Sequence, residues 1–596
     1  MGEHDDRLHD RRDGLLRRWR ARSGDLPAGA HLTWARGVMA ISPPRRLLRG
    51  PSLSWLPARP GAGTPLVWCD EPDVAWFYFG GQHPRTVASE VLSTAWIRRL
   101  LQSPQPGRQL SGVFALVVFD KQHHTTIALG DRLGVQALHV GRGHDGAWHL
   151  STHLAWLLLA LGHDGAVNDR AFTAHVAFGY GVDPDRDVYA NVHAVRPGEY
   201  LRLSDDGSVS MRYWRMPEPT RVEPVDSGGL VDALRGASAA ATDGADVFLG
   251  LTAGKDSLCL ASAMADIRPR TGTLGAYGCA DLLQGAELAR LLGWPHVMRP
   301  VCSTADFFRW ADYVAFQSAG LATTSYVDMA AFVSRAVPRG CAFVMGEGGE
   351  CVRDFFRAPG RSALQALVDD YMTPRPYLAA TLAARLLNRM GTYPADFVDR
   401  LYAMSGARDV DGFLSSFYRT QRMSGNFSLR HAVLSPLRPK ISPFLDSRFI
   451  DIAYPASTSQ HEGSALHRRL IAHARPELLP FFEAPIRTVQ GTQNWPLRFP
   501  RLAPRLRQQL AEDLRYSDDV LDPPGVLALC DAAAAQPSRA MYHLLRLFSF
   551  VRWRALLRTR GRDRLRSLET RRVVIAPEPA DTPLRRHASF EGEPSR

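Results

Sequence analysis

The chain has 596 residues, too many for a single hydrophobic core, so two or more domains are expected. Hydrophobic residues at 45% and charged residues at 22% are ordinary for a globular protein, and no apolar run approaches the roughly 20 residues of a membrane-spanning helix. The net charge of +12 is spread along the chain, with its richest arginine runs in the two tails, which suits a small acidic ligand better than a nucleic-acid interface.

The first stretch, "MGEHDDRLHDRRDGLLRRWRARSG", alternates charges and lacks the apolar middle of a secretory signal. It reads as a charged arm (1–30) of a cytoplasmic protein. Seven cysteines (69, 259, 279, 302, 341, 351, 530) are scattered without CxxC or zinc spacing, as expected of reduced thiols. Residues 31–214 read as mostly β. "GVFALVVFD" (112–120) and "HTTIALGD" (124–131) are β-rich runs, and 136–152 and 198–214 are hairpins turning at "GHDG" and "DDG". The Pro-containing stretch 215–229 reads as a linker. From 230 to 565 strands alternate with helical patterns, as in a parallel sheet with crossover helices: "ADVFLGLT", "TGTLGAYG", "HVMRP" and "GCAFVMGEGGE" are its strands. Helical patterns dominate after about residue 362. The Pro-, Arg- and Glu-rich end (566–596) has the composition of a disordered tail.

"FLGLTAGKDSLCLASAM" (248–264) carries the chemistry. An apolar strand breaks at Thr252 and a helical pattern resumes near Ser257, the layout of a phosphate-holding loop. It is not a Walker A loop, because three residues rather than four separate Gly250 from Gly254 and Asp256 follows Lys255 where Ser or Thr is required. The other form, S-G-G-x-D-S, matches Thr252, Ala253, Gly254, Lys255, Asp256 and Ser257, with Ala253 in place of a glycine. There hydroxyls and amides at a helix start hold a pyrophosphate, and the carboxylate holds a magnesium ion. The bland alternative is a turn capped by Asp256 or Ser257. A second strand–loop, "VMGEGGECVRDFF" (344–356), puts Glu347 and Glu350 near the carboxyl edge of the sheet, where ligands collect. Alone it also reads as a surface loop.

Together the motifs resemble the asparagine-synthetase family, including relatives that close β-lactam or lasso-peptide rings. The resemblance spans about residues 105–500. "LTAGKDS", "MGEGGE", "SPFLDSRFIDIA" (442–453) and "LHRRLIAHARPELLP" (466–480) follow the order of the synthetase half. "GVFALVVFD", "GDRLGVQALHV" and "RYW" are similar to the amidotransferase-type domain that precedes it. The fold implied is α/β: an N-terminal Ntn-amidotransferase-like, β-rich α+β domain, then a parallel-sheet PP-loop synthetase domain with a helical C-terminal part. The resemblance implies ATP and Mg2+ as cofactors, with Asp256 and Glu350 as metal ligands. Leu251, Thr252, Gly254, Lys255, Asp256, Ser257, Gly275 and Gly346 would line the ATP site, and Glu347 would take part in proton transfer.

Two departures shape the expected function. Glutamine-hydrolysing members carry a cysteine directly after the initiator Met; here "MG" opens the chain, and Cys69 has no free α-amine to act as its base. The family lysine that stabilises the acyl-adenylate is replaced by Val489, leaving Arg487, Lys255 or Lys440 to meet that anion. The reading that results is an ATP-dependent carbon–nitrogen ligase without its own glutaminase, of lasso-peptide macrolactam synthetase or related cyclase type. It would join a carboxylate and an amine, on a precursor peptide with leader-binding or protease partner proteins, away from nucleic acid and membrane. An ammonia-dependent asparagine-synthase-like enzyme and a non-catalytic ATP-binding scaffold are the alternatives.

Overall fold

The computed structural model describes residues 33–35, 38–42, 52–55, 66–80, 92–353, 380–390, 410–483 and 495–559, except 145, 180–186, 205–206, 243–245 and 538, together with 402, 403, 405 and 407. The charged arm at 1–30 and the tail at 566–596 lie outside the described residues.

The N-terminal domain is a pair of antiparallel sheets. One runs β12(Gly207–Arg212)–β11(Glu199–Ser204)–β7(Thr125–Gly130)–β6(Phe114–Asp120)–β5(Val74–Gly80)–β4(Leu66–Asp70). The other runs β1(Thr33–Ala35)–β2(Val38–Ser42)–β9(Trp148–Ser151)–β8(His139–Arg142)–β10(Val192–Ala194), with β3(Ser52–Trp55) also on β2. Both hairpins expected from "GHDG" and "DDG" form, as β8–β9 and β11–β12. The period of two along β5 and β6 explains why the first sheet is buried on both sides. Phe77, Phe79, Val117 and Phe119 face Val140 and Leu150 of the other sheet. Trp76, Tyr78, Leu116 and Val118 face Trp96, Ile97 and Leu100 of the helix Thr94–Gln102.

The second domain is built on a five-stranded, wholly parallel sheet in the order β15(His296–Pro300)–β14(Arg270–Gly275)–β13(Val247–Gly250)–β16(Ala342–Val344)–β17(Lys440–Ile441). Parallel strands joined by crossovers are covered by helices on both faces. Phe248 and Phe343 therefore enter one core, with the helices Thr304–Gln317, Val327–Ala336 and Arg539–Thr559. Val247, Leu249, Ala342 and Val344 enter the other, with the helices Ser227–Thr242 and Lys255–Ala263. Chain order runs outward from β13 in both directions, so the topological switch lies at the carboxyl ends of β13 and β16.

The stretch 215–229 is tied to the second domain. Its Arg221 N–H donates to Pro455 O (2.7 Å), Gln460 Nε2 donates to Arg221 O (2.9 Å) and Glu223 O (3.0 Å), and the helix beginning at Ser227 takes its last residues. The domains also meet through Arg132–Asp451 (2.9 Å), Ser111–Asp446 (3.2 Å) and His431–Gln136 (3.0 Å). No helix of the described residues is long and apolar enough to cross a membrane.

Candidate functional site

The loop after β13 and the loop after β16 meet at the switch point. A Cβ on Gly346 would lie 2.7 Å from the Cβ of Asp256, and one on Gly349 would lie 2.5 Å from Asp256 Oδ1. Only glycine allows the two backbones this close. Gly348 has φ +92°, and a Cβ there would strike Leu445 at 2.4 Å. The "GEGG" run is thus a geometric requirement for seating Glu350 beside Asp256.

Burial, and then the charge of Asp256, push the Glu350 carboxyl well above the ordinary carboxylate range. Asp256 is charge-compensated: Oδ2 accepts from Arg353 Nη2 (3.0 Å) and Oδ1 from His467 Nε2 (2.8 Å). His467 is buried, and its Nδ1 has no partner. Two adjacent carboxylates, one raised by burial and by the charge of the other, form a donor set that fits a hard divalent cation. Among the described residues no group of three or more His, Cys, Asp or Glu side chains gathers as a metal cluster.

The phosphate loop holds itself together. Thr252 N donates to Ser257 Oγ (3.2 Å), Gly254 N donates to Thr252 Oγ1 (3.0 Å), and Ser257 Oγ donates to Gly254 O (2.8 Å). Ala253 N is fixed by Asp281 Oδ1 (3.1 Å). The helix Lys255–Ala263 starts at Gly254 with no side chain capping it, so neither Asp256 nor Ser257 is the cap that the bland alternative required. An uncapped first turn leaves backbone N–H groups for an anion. The expected start near Ser257 moves two residues earlier because Lys255 and Asp256 already adopt the helix. Lys255 Nζ lies 4.7 Å over the Phe482 ring and 3.4 Å from Ser464 Oγ. Burial, then Arg353, lowers its pKa. Ser464 has φ +66°, a strained conformation for a residue other than glycine, facing this lysine. Leu251 and Gly275 sit at the carboxyl ends of β13 and β14, the Leu251 carbonyl taken by Thr273 Oγ1.

Glu347 points elsewhere. It is 3% exposed, one oxygen held by Lys440 Nζ and the other by Arg430 Nη1 (3.3 Å). Lys440 is wholly buried, and burial lowers its pKa against the opposing pull of Glu347. Arg430 is stacked near the rings of Tyr326 (5.4 Å) and Phe427 (5.0 Å). With a cation on each oxygen, Glu347 is placed to hold charge at the end of β16. Lys440 is on Glu347 and sealed from solvent, so it is not at hand to meet an adenylate either. Arg487 and Val489 lie outside the described residues.

Sequence reading missed Arg353, His467 and Arg430. Arg353 stands three residues beyond Glu350 in the same motif, and that short spacing is a usable signal. His467 and Arg430 come from distant helices, and only the fold brings them in. In the first domain, Cys69 lies inside β4, paired through Trp76, with its Sγ 3.3 Å from Thr94 Oγ1. Its backbone nitrogen is an amide, not a free amine.

Residues 87–214 match the family of glutamine amidotransferase domains. No curated protein matches the chain. Among solved structures it is similar to glutamine phosphoribosylpyrophosphate amidotransferase from B. subtilis complexed with ADP and GMP, at 12% identity and a TM-score of 0.19, over 44% of this chain and 59% of that one. It is also similar to an allosteric regulatory enzyme of purine biosynthesis, at 11% identity and a TM-score of 0.19, over 45% of this chain and 75% of that one. The N-terminal domain is thus of the amidotransferase type, and a parallel-sheet domain with helices on both faces follows it.

Proposed function

We propose that the protein is an ATP-dependent amide-forming ligase that activates a carboxylate as its adenylate, releases pyrophosphate and passes the acyl group to an amine. The observation that carries this reading is the meeting of two strand-end loops at the topological switch, with Asp256 against Gly346 and Gly349 and Glu350 beside it. Asp256 and Glu350 would hold Mg2+, whose contribution when bound is to neutralise charge growing on the phosphates. The uncapped turn at Gly254 offers N–H groups to the pyrophosphate end, and Lys255 and Arg353 add positive charge at the same mouth. Thr252 and Ser257 keep that turn in shape through their mutual hydrogen bonds.

In the first step the carboxylate oxygen bonds to the α-phosphorus and the bond to pyrophosphate breaks. In the second the amine nitrogen attacks the acyl carbon, AMP leaves with the bonding electrons, and the nitrogen sheds a proton. Holding both partners together makes the second step effectively unimolecular, which favours a substrate carrying both groups, such as a precursor peptide closed into a macrolactam. The amine comes with the substrate in this reading, because Cys69 in mid-strand lacks the α-amine a glutaminase nucleophile uses. The site of action is the cytoplasm.

One observation favours a second reading, a non-catalytic ATP-binding scaffold: both oxygens of Asp256 already carry a cationic or hydrogen-bonding partner. A pyrophosphate-release assay with ATP, Mg2+ and a panel of precursor peptides separates the two. Release that depends on the peptide and disappears in Asp256→Asn is expected. Binding of ATP without release from any peptide would hand the case to the scaffold, and release only with added ammonium to an ammonia-dependent synthase.

A further inference from the structure

Between the two domains, away from the loops at Asp256 and Glu350, lies a cavity of about 640 Å³, the size of a small-ligand or short-peptide site. We propose that this cavity binds a short, extended, acidic peptide segment. Calling that segment part of the substrate rests on the ligase reading; the binding itself does not.

Charge favours an acidic occupant. Arg132, Arg196, Arg212 and Arg215 line the cavity against the carboxylates Asp187, Glu199 and Glu218. Arg132 is paired with Asp451 and Arg212 with Glu199, but Arg196 reaches Asp187 only at 3.7 Å. Arg215 is exposed and forms no ion pair among the described residues. Arg215 is thus the lining guanidinium left to meet an incoming carboxylate, which arginine takes up in a two-pronged geometry.

Another part of the lining favours a chain of N–H donors. It is formed by the π-helix Tyr418–Phe427 and its flanks, a rare geometry concentrated at functional positions. Thr420, Ser424 and Ser428 recur every fourth residue along it, all lining the cavity. Each hydroxyl spends its hydrogen on a carbonyl four residues back: Thr420 on Ser416 O (2.7 Å), Ser424 on Thr420 O (2.7 Å), and Ser428 on Ser424 O. Their oxygen lone pairs remain to accept from a ligand. A row of acceptors at regular spacing suits successive peptide N–H groups better than a compact anion. Val188, Val192, Phe413 and Phe417 supply apolar surface for intervening side chains.

The same helical segment holds the acidic loop. Arg419 Nε donates to Cys351 O (3.0 Å) and Arg430 Nη1 to Glu347 (3.3 Å), while Thr420 and Ser424 face the cavity. A peptide seated there rests on the element that fixes Gly346–Arg353.

The test is fluorescence polarisation on the full chain with three fluorescein-labelled heptapeptide pools: one rich in Asp and Glu, one neutral, one rich in Lys and Arg. The acidic pool is expected to bind at least tenfold tighter than the other two. Arg215→Glu, which reverses charge at an exposed position, and Gln421→Trp, which fills the cavity from the π-helix wall, should each weaken it about tenfold or more. Tm and binding of a fluorescent ATP analogue, read on the same variants, should be unchanged. Equal binding of all pools, preference for the basic pool, or acidic binding insensitive to both variants in folded protein overturns the proposal. Tight acidic-pool binding with no pyrophosphate release from any peptide upholds the cavity and removes the ligase reading. Pyrophosphate release without acidic-pool binding does the reverse.

Discussion

Two acidic neighbourhoods adjoin in one short motif and are built in opposite ways. Asp256 and Glu350 sit at the mouth of the switch point; Asp256 is partly exposed, and its partners come from side chains that a ligand can replace. Glu347, three residues before Glu350, is buried against the sealed Lys440 and the partly exposed Arg430. A buried carboxylate whose oxygens are both spent on cations is part of the scaffold. An adjacent carboxylate pair at the carboxyl edge of a parallel sheet, with one acid raised by burial beside the other, is a candidate site. The contrast explains why a single "GEGGE" run supplies both a positioning residue and a candidate metal ligand.

The sharpest way to break the contrast is to remove the sealed charge. Glu347→Gln strands Lys440 in a dry interior, and such uncompensated burial costs roughly 3–5 kcal/mol. A drop of that size in urea or thermal unfolding is expected, largely recovered in Glu347→Gln/Lys440→Met. If the single variant is as stable as the parent, the cluster is not the sealed scaffold described. Asp256→Asn should do the opposite, leaving stability intact or higher while slowing pyrophosphate release about 10²- to 10³-fold, the scale of losing one preorganised electrostatic contact to the phosphates. Equal loss of stability and activity in both variants would erase the distinction.

Acid separates the two regions by sign. In metal-free protein Glu350 has a folded pKa raised from 4.5 to about 7 by burial and by Asp256. Its stabilising protonated form is fully present below 4.5 and lost as pH rises through about 7, so acidification tightens the open site. His431, beside the sealed cluster, is held neutral: burial and then the Lys440 charge put its pKa well below 6.5. Its contribution is fully present above 6.5 and lost as pH falls. Hydrogen exchange between pH 7 and 5 should therefore show rising protection at Gly349–Val352 and falling protection at Ser428–Leu434, after correction for intrinsic exchange rates. Added Mg2+ should abolish the first trend only. Parallel changes in both segments would contradict the assignment.

How much of this was legible in the sequence depends on range. The parallel sheet and both hairpins follow from local alternation and turn residues, and the two site loops from short glycine spacing beside apolar strands. The capped turn, the bland alternative to a phosphate loop, does not form because Thr252 and Ser257 satisfy one another rather than the helix, a choice set by loop closure and invisible in residue preference. The partners of Glu347 lie beyond the reach of sequence reading because they stand 83 and 93 residues away. No spacing rule reaches that far; only pairing of β16 with β17 brings Lys440 alongside.

The mildest perturbation is also the most discriminating for the mouth of the site. Lys255 breaks the resemblance to a Walker loop by sequence spacing, yet its ammonium lies over Phe482 and within reach of Ser464, already partly dehydrated. An ammonium kept there, on a ring and a strained hydroxyl rather than on a carboxylate, retains its charge for an incoming anion. Lys255→Met keeps most of the side-chain volume and its contact with Phe482 while removing the charge. Affinity for ATP should fall roughly tenfold, the worth of one charge-assisted hydrogen bond, with Tm nearly unchanged. Lys255→Arg should recover most of the affinity, since a guanidinium also stacks on Phe482. Unchanged ATP affinity in Lys255→Met would mean that the ammonium serves packing alone, and the positive charge at the mouth would then rest on Arg353.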